Sequence, residues 1–268
     1  MIDRSKLAAY LDEAGDDPAS AIETLQSHGI RSACLRQLWT GNVVDVSDQA
    51  VRKAKSLLDA GGISIIMLVT NLGDVPPEEL STVSRDSLDR AFLLASFFGA
   101  GYIRFRVGRA SPSLVDDSTD KAISSWMDDI QVRSIQAAVT PLLELSWDQA
   151  IYEPADAARV LSSFPRWKLL YDPAQLVLQR RVDPFVKYWT LLKLRTAAID
   201  IHDVKIGHNF RPAGQGDCEL RRTLDDAAES KYTGWYFLEP GLGRRYGPAL
   251  TRRDTFALAI EALGMLEN

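Results

Sequence analysis

The chain has 268 residues, 46% of them apolar and 25% charged, enough for a large core and close to the ~250 residues of one α/β barrel. Its formal charge of −5 argues against a nucleic-acid or anionic-membrane surface as its main role. Two cysteines, Cys34 and Cys218, exclude a disulfide framework or a thiolate metal cage and fit a reducing cytosol.

The opening MIDRSKLAAYLDEAGDD lacks the apolar core of a signal peptide. No stretch approaches the ~20 apolar residues of a membrane span. A cytoplasmic protein is the expectation. The pairs Arg180-Arg181, Arg221-Arg222, Arg244-Arg245 and Arg252-Arg253 are short and separated, as solvated helix ends and loops would be.

In chain order, LAAYL (Leu7 to Leu11) predicts a first strand and Pro18 to Ser27 a first helix, stopped at His28-Gly29. SACLRQL (Ser32 to Leu38) predicts strand two, and Ser47 to Ala60 a helix with a Ser N-cap. ISIIMLV (Ile63 to Val69) is apolar throughout and β-branched, as a strand buried on both faces should be. A helix over Ser84 to Phe98 leads to YIRFRV (Tyr102 to Val107). A further helix within Thr119 to Gln136 leads to AAVTPLLEL (Ala137 to Leu145).

The alternation continues with a helix over Ala155 to Ser163 and strand six, WKLLYD (Trp167 to Asp172). Pro184 to Leu194 predicts helix six, AAIDIH strand seven, Arg221 to Lys231 helix seven, GWYFLE strand eight, and Asp254 to Leu266 the closing helix. Eight strand–helix units without a linker predict a single (β/α)8 barrel domain over residues 1–268. A doubly wound open sheet is the runner-up, but the first strand is not followed by the Gly-rich turn such sheets carry.

Barrel chemistry sits at the carboxyl ends of the strands. Those ends supply Arg36, Arg104 with Arg106, Glu144, Asp172, Asp200 with His202, and Glu239. Asp200 and His202 share a strand face because side chains two apart do. The loop after them holds His208, Arg211 and the glycine-rich PAGQG. Acids ending four consecutive strands suit a divalent cation, since carboxylates crowded without one repel each other. Each residue also has a plainer reading: a solvated or capping acid, a turn at Asp172, a hydrogen-bonded core histidine at His202.

Several segments together, CLRQLWTGNVVDVSD, TNLGDVP, YIRFRVG, LLELS, YDPAQ, IDIHD, PAGQGD and FLEPGLG, give the chain an overall resemblance. It resembles the xylose isomerase-like TIM barrel proteins, the sugar phosphate isomerases/epimerases, whose barrel is shared by a class of apurinic endonucleases. The resemblance implies a divalent ion (Mn, Mg, Co or Zn) held by Glu144, Asp172, Asp200 or His202, and Glu239. It also implies that Glu144 and Glu239 shuttle a proton next to the carbonyl of a small carbohydrate. Arg36, Arg104, Arg106, His208 and Arg211 are the substrate-contact candidates, with interior ion pairs as the alternative for the first two.

The chain also departs from that family's pattern. Where the family reads His-x-Lys-Asp on strand seven, Asp200 stands at the histidine and His202 at the lysine. Asp74 stands where a lysine is common, Leu145-Ser146 follow Glu144, Gln175 follows YDPA, and Gly241 replaces a histidine. Most of these changes remove nitrogen or positive charge from the mouth. They favour, as the competing reading, a catalytically silent barrel that binds a polyol or carbohydrate. Cleavage of abasic DNA is disfavoured because the chain has only His28, His202 and His208 and is net negative. The run WTLLKL (Trp189 to Leu194) and Trp235-Tyr236 fit the core or an interface between copies in a homo-oligomer.

Overall fold

Eight parallel strands close into a barrel, as the alternating sequence predicts. They are β1 (Leu7–Tyr10), β2 (Ser32–Leu35), β3 (Ser64–Val69), β4 (Tyr102–Phe105), β5 (Thr140–Glu144), β6 (Lys168–Tyr171), β7 (Thr196–Ile201) and β8 (Trp235–Leu238). Each pairs with its sequence neighbours, and β8 returns to β1 through Leu7–Tyr236, Ala8–Phe237 and Ala9–Leu238. This closure rules out the open sheet. The structure, a computed structural model, describes residues 2–109, 117–178, 182–207, 209–243 and 250–267. His208, Arg180, Arg181, Arg244 and Arg245 lie outside the described residues.

Helices α1 (Pro18–Ser27), α2 (Asp48–Gly61), α3 (Arg85–Phe98), α4 (Asp117–Gln136), α5 (Pro154–Ser163), α6 (Pro173–Val177), α7 (Leu220–Glu229) and α8 (Arg252–Glu267) connect the strands. Local chemistry fixes their starts. Asp17 caps α1 in a reciprocal box with Ser20, Ser47 accepts from the Ala50 amide at α2, and Ser84 from that of Ser87 at α3. No described helix is long and apolar enough to cross a membrane.

Two elements differ from expectation. The second strand stops at Leu35, and Gln37–Leu38 instead forms a small hairpin with Gly41–Asn42. The chain turns away there, so that Arg36 reaches back over the barrel mouth. The expected helix over Pro184 to Leu194 is mostly a π-turn, Phe185–Trp189, followed by Thr190–Leu192 and a final 3₁₀ turn at Lys193–Arg195. Within it Tyr188 and Trp189 are fully buried while Leu191 and Leu194 face outward, so WTLLKL divides between core and surface.

The core has two compartments. Ala8, Tyr10, Cys34, Met67, Val69, Leu142, Leu170, Ala198 and Phe237 fill the barrel interior. The alternate residues, such as Ala9, Leu35, Leu143, Leu169, Ile199 and Leu238, pack outward against the helices. Strands buried on both faces read as apolar runs for this reason. Both cysteines are buried and free.

Candidate functional site

The period of two along each strand builds the site from the interior layer upward. Two residues beyond interior Cys34 stands Arg36, beyond Leu142 Glu144, beyond Leu170 Asp172, beyond Ala198 Asp200, and beyond Phe237 Glu239. His202 continues the same face of β7 by one further step. The apolar plug therefore ends in a charged layer at the carboxyl end of the barrel. Glu144, Asp172, Asp200, His202 and Glu239 are all buried there, Asp200 completely.

Asp172 is the hub. Its Oδ1 accepts from the Ala174 and Gln175 amides at 2.9 and 3.4 Å, capping α6, and its Oδ2 lies 3.0 Å from Nδ1 of His202. Asp172 is thus a helix-capping acid rather than a turn residue, and capping is only part of its role, since one oxygen caps while the other faces the site. On one side, Asp172, His202 and Glu239 offer ligand atoms within 4.8 Å of one another; on the other, Glu144, Asp172 and Asp200 do the same. Both arrangements suit a hard divalent cation. One buried atom agrees, because Nε2 of His202 has no hydrogen-bond partner among the described residues, a costly condition unless something else occupies it. The donor set and this unpartnered nitrogen fit a cation.

Arginines gather around the outer acids. Arg36 pairs with Glu239 and reaches Asp12 and Glu13 at 2.9 Å each, its guanidinium lying 4.8 Å over the Tyr10 ring. Arg104 and Arg106 each place a nitrogen 3.5 Å from Oε2 of Glu144, and Arg104 also donates to the Thr70 carbonyl at 2.8 Å. The ion-pair reading of Arg36 and Arg104 therefore holds. Arg106, expected within strand four, lies just past the end of β4. Arg211 does not join the cluster. It pairs through its backbone with Asp203 in a two-residue hairpin, and its guanidinium lies 3.5 Å from the Phe210 carbonyl.

These neighbours set the charge states. Burial opposes a charged imidazole, yet Asp172 and Glu239 together outweigh it and push His202 up to about 9. Burial likewise opposes ionised Glu239, but Arg36 and His202 prevail and hold it below the usual range. Asp200 has little such help, from Arg104 alone. Burial first, then Asp172, Glu239 and Glu144, raise it well above a normal carboxylate, and among the described residues only the Tyr10 hydroxyl comes within hydrogen-bonding reach, at 3.4 Å.

Sequence reasoning missed several participants. Asp12 and Glu13, two and three residues past β1, form the outer anchor of Arg36, and their position after a strand end was the available signal. Gly241 meets the site backbone-first. At φ +59 its Cβ would lie 2.9 Å from Nε2 of His202, which stacks on Phe210 at 4.5 Å. His202 and the missing side chain at 241 thus belong together. Asp74, standing where a lysine is common, pairs with Arg109 at 2.9 Å.

A family profile, the xylose isomerase-like TIM barrel, matches residues 22–263, and the chain belongs to that family. A search of curated proteins finds no match. Among solved structures, D-allulose 3-epimerase from Methylomonas sp. superimposes with a TM-score of 0.74 at 13% identity, covering 98% of this chain and 96% of that one. A xylose isomerase-like TIM barrel protein from Mycobacterium smegmatis, solved in complex with magnesium, gives 0.73 at 16% identity over 99% and 98%. The probable 3-DHS dehydratase of petrobactin synthesis from Bacillus anthracis gives 0.74 at 12% identity over 97% and 98%. At these identities the likeness is one of fold.

Proposed function

We propose that the chain is a divalent-metal-dependent isomerase or epimerase acting on a small sugar or sugar phosphate by proton transfer next to a carbonyl. The observation that carries this reading is the convergence of Glu144, Asp172, Asp200, His202 and Glu239 at the barrel mouth, with Nε2 of His202 left without a hydrogen-bond partner among the described residues. Family membership and the magnesium complex and D-allulose epimerase among its structural relatives support it.

Asp172, with Glu239 and His202 or with Glu144 and Asp200, would hold the ion, whether Mn, Mg, Co or Zn. When bound it would supply polarisation of the substrate carbonyl. Glu239, kept ionised by Arg36, is poised to accept a proton from the carbon next to that carbonyl at a carboxylate oxygen. Glu144, from the far side of Asp172, is placed to return one. Arg104 and Arg106 orient Glu144, and Arg106 presents a guanidinium edge to substrate oxygens. Burial of the acids shields the reacting carbon from bulk water, while the carboxylates re-equilibrate their protons with solvent between turnovers.

The test is exchange of a substrate C–H for solvent deuterium. Protein purified without chelator and reloaded with each metal is incubated with a panel of ketoses and ketose phosphates, read by NMR. One substrate exchanges, and Glu239→Gln slows that exchange at least about a hundredfold. Absence of stoichiometric metal would end this reading. It would leave the silent polyol-binding barrel, which the occupation of Glu239 by Arg36 favours.

A further inference from the structure

The opposite end of the barrel carries a second feature that the chemistry of the mouth does not use. Around the amino ends of β4 to β8 lies a cavity of about 400 Å³, within the size range of small-molecule sites. Tyr102, Thr140, Lys168 and Thr196 line it from the first residue of four successive strands, and Lys231 and Tyr232 from the turn before β8. The amino face of such a barrel normally serves stability alone, so an open space there calls for a ligand.

Its polarity is one-sided. The chain as a whole is acidic, yet three lysines, Lys168, Lys193 and Lys231, line this cavity and no described lining residue is an acid. Lys193 is partly neutralised from outside by Asp226 at 2.8 Å. Lys168 has no carboxylate partner among the described residues; burial and then the nearby Arg195 hold its ammonium below the usual range. Arg195 spends its Nη2 on the carbonyls of Leu161 and Trp167, and its Nε has no partner. Lysines without counter-ions among the described residues, beside the rings of Tyr102 and Tyr232, describe a receptor for an anionic group on an apolar body.

We propose that this cavity is a second binding site, distinct from the barrel mouth, for a small organic oxyanion, with Lys168 and Lys231 receiving the anionic group and the rings of Tyr102 and Tyr232 its carbon body. The proposal does not depend on the reaction at the mouth.

The experiment is calorimetric titration of the full chain at low ionic strength with 4-nitrophenyl phosphate, 4-nitrobenzoate and neutral 4-nitrobenzyl alcohol. Saturable binding of one or both anions at one site per chain, and none of the alcohol, is expected, and the two anions separate a phosphate from a carboxylate ligand. Lys168→Glu weakens it by about tenfold or more, the loss of a charged hydrogen bond. Lys231→Asn, in which asparagine tolerates the positive φ of 55 at that residue, weakens it severalfold without touching the core. Lys121→Glu, the same charge change on the exposed face of α4, leaves it unchanged, as does Glu239→Gln at the mouth. Thermal melting confirms that each variant is folded. No saturable anion binding, or binding lost in Glu239→Gln and kept in both Lys168→Glu and Lys231→Asn, would overturn the proposal.

Discussion

Asp200 and Asp203 stand three residues apart on the same short segment, both buried, and their surroundings could hardly differ more. Asp203 accepts four backbone N–H groups, from Val204 at 2.9 Å, Gly214 at 2.8 Å, Gly216 at 3.0 Å and Cys218 at 3.2 Å. It gathers the PAGQG loop around a single carboxylate, so closely that a Cβ at Gly216 would fall 2.1 Å from its Oδ1. Among the described residues Asp200 has only a tyrosine hydroxyl at the outer limit of hydrogen bonding, with three acids around it against the weaker counter-charge of Arg104. A buried carboxylate saturated with amides stabilises its fold. One left short of donors among like charges is kept at a cost to stability and suits a cation or a proton in transit.

The comparison breaks first at Asp203. Asp203→Ala strands four backbone amides, those of Val204 and Cys218 buried, and a loss of about 2–4 kcal/mol is expected, read as a fall in urea midpoint, with early proteolysis inside residues 209–217. A loss below about 1 kcal/mol would show that the loop is held by something else.

Second in size is the pH response of the His202–Asp172 pair in chelator-stripped protein. The folded pKa of His202, about 9, lies above its ordinary 6.5. Its contribution, on the order of 3 kcal/mol, is therefore complete below pH 6.5 and is lost as pH rises through about 9. Urea melts between pH 6 and 10 should show this decline, and His202→Gln should flatten it. An unchanged slope in that variant would assign the dependence to another group.

How far this division was legible from sequence follows from strand parity. The acids ending strands five to eight stood out because apolar interior residues fix which side chains continue the same face: Glu144 after Leu142, Asp172 after Leu170, Glu239 after Phe237. The barrel was legible for the same reason. Partner choice was not. That Arg36 would turn back over the mouth depends on the strand ending at Leu35, and nothing in SACLRQL marks that end. Asp203 looks like any loop acid, since its four donors lie up to fifteen residues away and are backbone atoms that composition does not reveal. Glu219 begins α7 with φ +52 and no side-chain cap, which no capping rule anticipates.

The third prediction concerns Asp172, shared by both candidate ligand sets. Asp172→Ala should weaken divalent-ion binding by at least about a hundredfold whichever set is used, measured by competition with a fluorescent chelator. Binding in the parent protein should tighten with rising pH, because His202 and Asp200 must give up protons to ligate. A pH-independent affinity would mean that neither residue touches the ion.

The smallest effect decides between the two sets. Burial and its acidic neighbours raise Asp200 well above a normal carboxylate, so Asp200→Asn, which keeps the shape and removes a disfavoured charge, should change stability by under about 1 kcal/mol. If the ion lies among Glu144, Asp172 and Asp200, the same substitution removes a ligand and metal affinity falls while His202→Gln leaves it nearly intact. If it lies among Asp172, His202 and Glu239, the two variants exchange results, and the ion must then share Glu239 with Arg36. The second outcome would place the metal where the strand has shifted its imidazole two residues beyond the family's histidine, with Gly241 leaving the space that His202 fills. A substitution nearly silent in stability would thereby show whether the altered strand-seven pattern relocates the ligand or discards it.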